Sequence, residues 1–261
     1  MKGIQIGIIG GTHGMGRWFA DYLTKQGLPV HVSGRTTGMR AAEMARLCQV
    51  VIVSVPIGVT NAIIAQVGPL LKKGSLLMDL TSVKTESVRA MLKFSLSEVI
   101  GCHPLFGPQA ASVEGQHVVL CPARTKKWLP WLRDVLERGG ASLVETTPER
   151  HDEIMALIQG LNHLNTIMMG MALGETAAPL SQLDPFTTPL FSIKSKIVQK
   201  ILNDNPRLYA EILCHNQRVA GIIDIYGEML AGIKSLTERG DAEGLTAMMK
   251  ETASRLWPIG K

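Results

Sequence analysis

One histidine stands where it could transfer a proton. His103 follows a short apolar stretch that ends at Gly101, and Pro104 comes directly after it. An imidazole titrates near neutral pH, so it can accept or donate a proton under physiological conditions. Because proline fixes the neighbouring backbone, the His103 side chain should be held stiffly. His103 is therefore a candidate general base, with a hydrogen-bonded loop histidine as the alternative.

A glycine-rich turn near the start of the chain could bind the phosphates of a dinucleotide. The apolar stretch Ile4–Ile9 leads into this turn, and a helical pattern follows it. Such a turn lets the backbone approach a pyrophosphate closely, and the helix N-terminus supplies free N–H groups. The usual fingerprint is G-x-G-x-x-G, whereas His13 takes the central glycine position here. The predicted cofactor-binding residues are Gly10, Gly11, Thr12, His13, Gly14, Met15 and Gly16. A tight turn without a ligand is the alternative.

The ends of the next two predicted strands should meet the same nucleotide. Ser33-Gly34-Arg35-Thr36 contains no acid that could bind ribose hydroxyls. Arg35, together with the hydroxyls of Ser33 and Thr36, suits a 2′-phosphate, so NADP is preferred over NAD. A solvated Arg35 is the alternative. Ser54 and Pro56, at the end of the following strand, are also predicted to bind the cofactor.

Alternating strands and helices are predicted through residues 1–147. Seven short apolar stretches lie at 4–9, 30–33, 50–54, 75–79, 99–101, 117–120 and 141–144, with helical patterns between most of them. This alternation predicts an α/β, doubly wound parallel sheet of the Rossmann type that binds NAD(P). Ligands bind beyond the carboxyl ends of such strands. The glycine turn, Asp79–Lys84 and His103 should therefore lie at one edge of the sheet.

Residues 148–261 are predicted to form an all-helical domain. Thr188 before Pro189 and Asn205 before Pro206 are typical N-caps with proline at the first helical position. A long helix is expected from Pro206 to Gly240. The Met- and Leu-rich helices carry apolar residues on more than one face, and such helices need a partner to cover them. This half is therefore predicted to make a homodimer.

Composition argues against nucleic acid, membrane and metal. The formal charge is +5, but no run of Lys or Arg forms a basic stripe, so small anionic ligands are the better explanation. The stretch 154–173 is apolar but carries too many polar groups for a lipid-facing span, which favours a buried helix. Four scattered cysteines give neither a zinc motif nor a disulfide framework, and no secretory signal pattern is visible. A cytoplasmic location without a bound metal is expected.

Several motifs together resemble the prephenate dehydrogenase family of tyrosine biosynthesis. They are GGTHGMG, DLTSVK, GCHPLFGP, HDEIMALIQGLNHL, TTPLFSIKSKIVQKILNDNP and RLYAEI, which span nearly the whole chain. The resemblance implies a nucleotide domain followed by a helical dimerisation domain. It also implies oxidative decarboxylation of prephenate to 4-hydroxyphenylpyruvate, with hydride transfer to NAD(P)+.

The resemblance also implies roles for individual residues. His103 would bind the substrate hydroxyl and take its proton, and Ser82 would orient that imidazole. Lys84, His163, Lys196 and Lys200 would bind the substrate. Lys200 stands where the family has an arginine, and Gln109 replaces an acid found in some relatives. Arogenate therefore remains an alternative substrate, and a non-catalytic nucleotide-binding dimeric scaffold or sensor is the third possibility.

Overall fold

The first half of the chain forms a seven-stranded sheet in this computed structural model, which describes residues 3–176 and 180–258. The strands follow the order β2-β1-β3-β4-β5-β6-β7. They are β1 (Ile6–Ile9), β2 (Val30–Ser33), β3 (Val50–Val53), β4 (Leu76–Asp79), β5 (Glu98–Pro104), β6 (His117–Arg124) and β7 (Ser142–Glu145). Short runs of β-branched and aliphatic residues, buried on both faces, are typical of such central strands.

The sheet is mostly parallel, as predicted, but one strand pair departs from the pattern. Strands β1 to β5 run parallel, whereas β6 runs antiparallel to β5 and parallel to β7. A parallel return needs a crossover connection, usually a helix, but the segment 105–116 contains no helix. The chain therefore turns straight back from β5 into β6. The sequence predicts a fully parallel sheet, and this prediction is wrong for the β5–β6 pair.

Helices cover both faces of the sheet. They are α1 (Gly14–Lys25), α2 (Ala41–Leu47), α3 (Ile57–Val67), α4 (Thr85–Phe94) and α5 (Trp128–Arg138). Helices α1 and α5 share one apolar core with Ile6 and Ile8 of β1. Helices α2, α3 and α4 bury Met44, Ile64 and Met91 in a second core on the opposite face. Two cores on one sheet give the three-layer arrangement of a doubly wound domain.

The second half of the described chain is helical, as predicted. Its elements are α6 (Pro148–Met155), a π-helical turn (Ala156–Leu161), α7 (Asn162–Glu175), α8 (Leu180–Leu183), α9 (Pro189–Asn203), α10 (Pro206–His215), α11 (Val219–Glu238) and α12 (Ala242–Leu256). The two proline caps are confirmed, because the Thr188 and Asn205 side chains accept backbone N–H bonds from Phe191 and Leu208. The single helix expected from Pro206 to Gly240 is wrong: the buried Asn216 ends α10, and α11 starts three residues later.

The apolar stretch 154–173 does not form one buried helix. The π-helical turn divides it, and Leu157, Ile158 and Met171 are more than half exposed. Within the ranges that the structure describes, no helix is both long and apolar enough to cross a membrane. One face of this segment is thus apolar and uncovered in the single chain.

Candidate active site

The carboxyl ends of four strands bring the predicted functional segments to one edge of the sheet. In the parallel register, Ile9 of β1 pairs with Val53 of β3, which pairs with Asp79 of β4. Asp79 in turn pairs with Gly101, two residues before His103 in β5. The glycine turn, Ser54, the DLTSVK segment and His103 therefore follow one another along this edge, and the prediction that the turn, Asp79–Lys84 and His103 share the carboxyl edge of the sheet is confirmed.

Steric contacts show why the turn after β1 is built from glycine. A Cβ on Gly10 would lie 2.0 Å from the Ser54 carbonyl oxygen, and one on Gly16 would lie 2.4 Å from the Gly10 carbonyl oxygen. Gly10 and Gly14 also have positive φ angles of 85° and 55°. A Cβ on Gly14 would meet no atom within 4 Å, so this glycine faces open space. The turn leaves room for a ligand over Gly14.

Helix α1 begins at this turn without a side-chain cap. His13 occupies the N-cap position but makes no capping hydrogen bond, and the first turn contains no acidic residue. Instead, the His13 Nδ1 lies 2.8 Å from the Thr12 hydroxyl oxygen. The first N–H groups of a helix have no partner within the helix, and they attract anions. Open space, a glycine cradle and an uncapped helix N-terminus fit a dinucleotide pyrophosphate.

The segment after β2 exposes the Arg35 side chain, whereas its Ser33 hydroxyl is hydrogen-bonded within the protein. Ser33 is buried, and its hydroxyl donates to the Met39 carbonyl at 2.9 Å. Arg35 and Thr36 are exposed. The Gly34 N–H donates to the Thr37 hydroxyl at 2.8 Å, which closes the loop around them. Arg35 and Thr36 are thus the groups of this loop that remain available to a ligand.

Ser54 and Pro56 lie between β3 and α3. The Ser54 N–H donates to the Ile9 carbonyl at 2.8 Å, which fixes its backbone beside the glycine turn. Pro56 is exposed and is the N-cap of α3. Both residues therefore border the same edge as the turn, and their contact with a nucleotide stays a prediction.

A chain of hydrogen bonds leads from His103 into the helical half of the protein. His103 is the penultimate residue of β5, so it lies inside the strand rather than after it. Its Nδ1 lies 2.8 Å from the Nε2 of His151 on α6. The His151 Nδ1 lies 2.8 Å from the Asp152 carboxylate. Two histidines and a carboxylate are thus linked in series, with His103 at one end.

Asp152 is held by the N-terminus of another helix. Its two carboxylate oxygens accept the N–H groups of Lys84 and Thr85, at 2.8 and 2.9 Å, where α4 begins. Asn216 donates to the Asp152 carbonyl at 2.8 Å. An anion at a helix N-terminus is favoured by the free N–H groups and the helix dipole. Asp152 therefore joins α4 of the sheet domain to α6 and to the end of α10.

Burial makes both histidines poor proton acceptors from bulk water. It lowers the pKa of His103 well below the usual 6.5, and neighbouring His151 and Lys84 lower it further. Burial also lowers the pKa of His151, against the opposing effect of Asp152. For Asp152, burial acts to raise the pKa, but hydrogen bonds from His151 and from the α4 N-terminus outweigh it, so the pKa lies below its usual range. Neutral imidazoles beside an ionised carboxylate are the favoured state at neutral pH.

Lys84 lies beneath this group and does not face open space. Its side chain is fully buried, and its ammonium pairs with Asp79 and donates to the Cys102 carbonyl at 3.0 Å. Thr81 also donates its hydroxyl to Asp79. The expectation that Lys84 meets substrate charge does not fit this arrangement, because its ammonium is already held within the protein. Lys84 instead fixes the strand ends on which His103 sits.

Ser82 is partly buried, on the segment between β4 and α4. The His103 Nδ1, which Ser82 could have oriented, is bonded to His151 instead. A contact of Ser82 with the other side of the ring, or with a bound ligand, stays a prediction.

Two polar atoms of the helical half are buried without a hydrogen-bond partner in the described structure. They are the Oε1 of Gln159, in the π-helical turn, and the Nδ1 of His163 in α7. The His163 ring packs edge-on against Tyr209, with the centroids 4.9 Å apart. Buried polar groups normally have partners, so each of these atoms is free to bond to a water molecule or to a bound polar ligand. π-Helical turns are frequent at functional sites.

Lys196 and Lys200 are exposed on α9. Four residues separate them, so both lie on one side of the helix, as predicted. Among the described residues, no ion pair engages either ammonium. Among the residues that the structure describes, no hydrogen bond links them to His103, and their role as substrate ligands stays a prediction.

Three residues of this site were not assigned from the sequence: His151, Asp152 and Gln159. All three lie in the motif HDEIMALIQGLNHL, in which the sequence predicts a site role for His163. His151 and Asp152 are adjacent in the sequence and follow the Thr147-Pro148 helix start by one turn, so the sequence itself shows that two titratable side chains lie together there. Its link to His103, 48 residues earlier, depends on how α6 packs against the sheet, which the spacing does not reveal.

The loop after His103 is fixed to the helix that starts at the glycine turn. Phe106 packs edge-on against Trp18 of α1, with ring centroids 4.8 Å apart. The Trp18 Nε1 donates to the Ala110 carbonyl at 2.7 Å. The HPLFGP segment therefore keeps a fixed place relative to α1. Within the described ranges, no cluster of three or more His, Cys, Asp or Glu side chains is arranged to hold a metal ion.

Family models match both halves of the chain. Residues 24–145 match the model described as "Prephenate dehydrogenase, nucleotide-binding domain", and residues 147–251 match "Prephenate dehydrogenase, dimerization domain". The first match starts after the glycine turn, so the fit of that turn to a nucleotide depends on the contacts described above.

Curated relatives match over nearly all of this chain. A "Probable arogenate/prephenate dehydrogenase" of Methanocaldococcus jannaschii is 36% identical over 96% of this chain and 60% of its own length. A "T-protein" of Enterobacter agglomerans is 32% identical over 92% of this chain and 64% of its own length. The chain therefore spans about three fifths of the length of these relatives.

Solved structures share the fold at low sequence identity. Prephenate dehydrogenase from Aquifex aeolicus, in complex with hydroxyphenyl propionate and NAD+, has a TM-score of 0.76 at 21% identity and covers 100% of this chain and 99% of its own. Synechocystis arogenate dehydrogenase has a TM-score of 0.73 at 21% identity and covers 97% of this chain and 98% of its own. The matches to both domain models, together with these relatives, establish that this chain belongs to the prephenate dehydrogenase family.

Proposed function

We propose that this protein oxidises and decarboxylates prephenate to 4-hydroxyphenylpyruvate, with NADP+ as the preferred hydride acceptor. One observation carries the proposal: a hydrogen-bonded histidine, His103, stands on the same sheet edge as a turn that fits a dinucleotide. Family membership supports it. This reaction is a step in tyrosine biosynthesis.

The reaction balances with a single protein base. A bound nicotinamide supplies the acceptor for the hydride that leaves the ring carbon bearing the hydroxyl. His103 takes the hydroxyl proton as that hydride leaves, so the oxygen becomes a carbonyl. The ring carboxylate departs as carbon dioxide, and the electron pair of the broken C–C bond makes the ring aromatic. The oxygen then takes the proton back from His103 and becomes the phenol.

The rest of the site holds the substrate and nucleotide in place. The glycine turn and the α1 N-terminus would bind the pyrophosphate, with Ser54 and Pro56 beside them, and Arg35 and Thr36 would bind the 2′-phosphate. Prephenate is a dianion, so Lys196 and Lys200 would supply charge to its carboxylates. His163 and Gln159 would complete the site, because each has a buried atom without a partner.

Arogenate is the second candidate substrate. Lys200 stands where the resemblance implies an arginine, and a lysine cannot offer the two-pronged hydrogen bonding of a guanidinium to a carboxylate. The Methanocaldococcus jannaschii relative carries both substrates in its name. Arogenate differs from prephenate in having an ammonium group on its side chain, so the residues that meet this side chain decide between the two.

A direct assay tests the proposal. The purified protein is incubated with prephenate or arogenate, each with NADP+ or NAD+, and nicotinamide reduction is followed by absorbance. We expect reduction with prephenate and a higher kcat/KM with NADP+ than with NAD+. Faster turnover of arogenate would transfer the function to the second candidate. Tight nucleotide binding without turnover of either substrate would contradict both and would favour a nucleotide-binding scaffold or sensor.

We also propose that the protein is a homodimer. The helical domain matches a dimerization-domain model, and α9 exposes Leu190, Ile193 and Ile197 at one-face spacing. A second copy of the chain would cover this surface.

A further inference from the structure

The hydrogen bonds around Asp152 determine which ring nitrogens carry protons. An ionised carboxylate only accepts hydrogen bonds. Asp152 receives two backbone N–H groups from the start of α4, and the His151 Nδ1 lies 2.8 Å from the same carboxylate. The His151 Nδ1 must therefore be the donor, so it carries a hydrogen.

The position of the hydrogen on His151 also determines which nitrogen of His103 carries a hydrogen. A neutral imidazole has one N–H and one bare nitrogen. With its hydrogen on Nδ1, His151 has a bare Nε2, which can only accept. The partner at 2.8 Å is the His103 Nδ1, which must then donate. The hydrogen of neutral His103 is thus on Nδ1, and its lone pair is on Nε2.

The remaining nitrogen of His103 is the one that can meet a substrate. Nε2 has no hydrogen-bond partner among the described residues. It is also absent from the fully buried polar atoms that lack a partner, so this nitrogen is not closed off from solvent. A base must present a bare nitrogen to the proton that it takes. The opposite tautomer would place an N–H there and could not accept the proton.

We propose that His151 and Asp152 are positioning residues that hold the His103 imidazole in the tautomer with a bare Nε2. When Nε2 takes a proton, the O–H bond of the donor breaks and an Nε2–H bond forms. The imidazolium charge is then stabilised through the His151 ring by Asp152. His151 and Asp152 belong to the helical domain, whereas His103 belongs to the sheet domain. His103 therefore acts as a base only when the two domains are docked against each other. The effect on turnover rests on the proposed function, whereas the tautomer does not.

Nitrogen-15 NMR of the histidine-labelled, ligand-free protein tests the tautomer directly. The His103 signals are assigned by their loss in His103→Asn. We expect a protonated Nδ1 and a bare Nε2 in the unaltered protein. In Asp152→Ala the acceptor that fixes the hydrogen on the His151 Nδ1 is gone, so we expect His103 to populate both tautomers. A protonated Nε2 in the unaltered protein would overturn the inference, as would a His103 tautomer that Asp152→Ala leaves unchanged.

Kinetics of two His151 variants separate positioning from packing. A glutamine can accept from His103 through its carbonyl and donate to Asp152 through its amide, whereas a leucine can do neither. We expect His151→Gln to keep kcat within about tenfold, and His151→Leu to lose about 10²- to 10⁴-fold in kcat with little change in KM. Equal loss in both variants would contradict the positioning role. This comparison stands even if Asp152→Ala fails to fold.

The same data distinguish the two proposals. If NMR shows the expected His103 tautomer but neither prephenate nor arogenate is turned over, the proposed function fails and the tautomer assignment stands. If turnover is observed but His103 carries its proton on Nε2, the proposed function stands and the positioning role fails.

Discussion

His103 is the residue on which turnover depends in the proposed function. Replacing it with asparagine removes the group that takes the hydroxyl proton, while the glycine turn is left intact. We expect His103→Asn to lower kcat by about 10²- to 10⁴-fold, the usual contribution of general acid–base catalysis. Nucleotide affinity, measured by fluorescence titration, should stay within about twofold.

The same substitution at exposed His117 is the matched control, and it should leave kcat unchanged. Turnover that survives in His103→Asn would contradict the assignment of the base.

The buried histidines also make stability depend on pH. Burial lowers the pKa of His103 and of His151 below 6.5, so in the pH range just below 6.5 the unfolded chain binds more protons than the folded one. The free energy of unfolding therefore falls as the pH falls below 6.5, by up to about 1.4 kcal/mol per pH unit for each histidine that stays neutral. Urea unfolding between pH 7.5 and 5.5 measures this slope.

His103→Asn should show a smaller slope, because one such histidine is gone. An increase in stability towards pH 5.5 would show that the two histidines are protonated in the folded protein.

At the scale of the element, the loop after β2 decides between the two nucleotides. Arg35 is exposed there, and no acid lies between Ser33 and Thr36. A hydrogen bond to a charged group contributes about 1.5–3 kcal/mol, so Arg35→Ala should weaken NADP binding by about 10- to 100-fold. NAD binding should change little, because NAD has no 2′-phosphate.

Calorimetric titration with both nucleotides measures this difference. Arg46→Ala, on the neighbouring helix α2, is the control, since it removes an exposed arginine whose side chain, within the described ranges, bonds to the Ala42 carbonyl of its own helix. Equal weakening of NADP and NAD by Arg35→Ala would contradict the 2′-phosphate role.

A glutamate of α10 caps a helix of the sheet domain. Glu211 accepts the Ile57 N–H at 2.8 Å, at the start of α3, and Arg207 donates to the same carboxylate. Burial acts to raise the pKa of Glu211, but these bonds outweigh it and hold the pKa below its usual range. We expect Glu211→Ala to lower the free energy of unfolding by about 0.5–2 kcal/mol, the range for loss of a helix cap.

Urea unfolding at pH 7.5 measures this loss, with Glu228→Ala on the exposed side of α11 as the control. If the two variants unfold at the same urea concentration, Glu211 does not stabilise the contact between α10 and α3.

Local patterns predict elements better than they predict contacts across the domains. The strands around Ile6 and Val50 and the caps at Thr188 and Asn205 follow from nearby residues alone, and they were predicted. The reversal at β6 depends on a connection without a helix. The bond from His103 to His151 depends on the docking of α6 against β5. Such long-range packing leaves no periodic signal, so these features required the structure.

At the scale of the molecule, α9 carries the surface that should decide the oligomeric state. Leu190, Ile193 and Ile197 lie at i, i+3 and i+7, and they are 63%, 58% and 47% exposed. Such a stripe is costly to leave in water, and a second copy of the dimerization domain would cover it. A charge placed in the middle of the stripe would have to be buried without a partner.

We therefore expect Ile193→Asp to shift the protein from dimer to monomer in sedimentation velocity at micromolar concentration, with its circular dichroism unchanged. Leu96→Asp is the matched control, because Leu96 is 79% exposed but belongs to the sheet domain, and it should leave the dimer intact. A dimer that persists in Ile193→Asp would place the interface on another face of the helical domain. Because Lys196 and Lys200 lie on the same helix, a monomeric Ile193→Asp would also show whether the substrate KM depends on dimerisation.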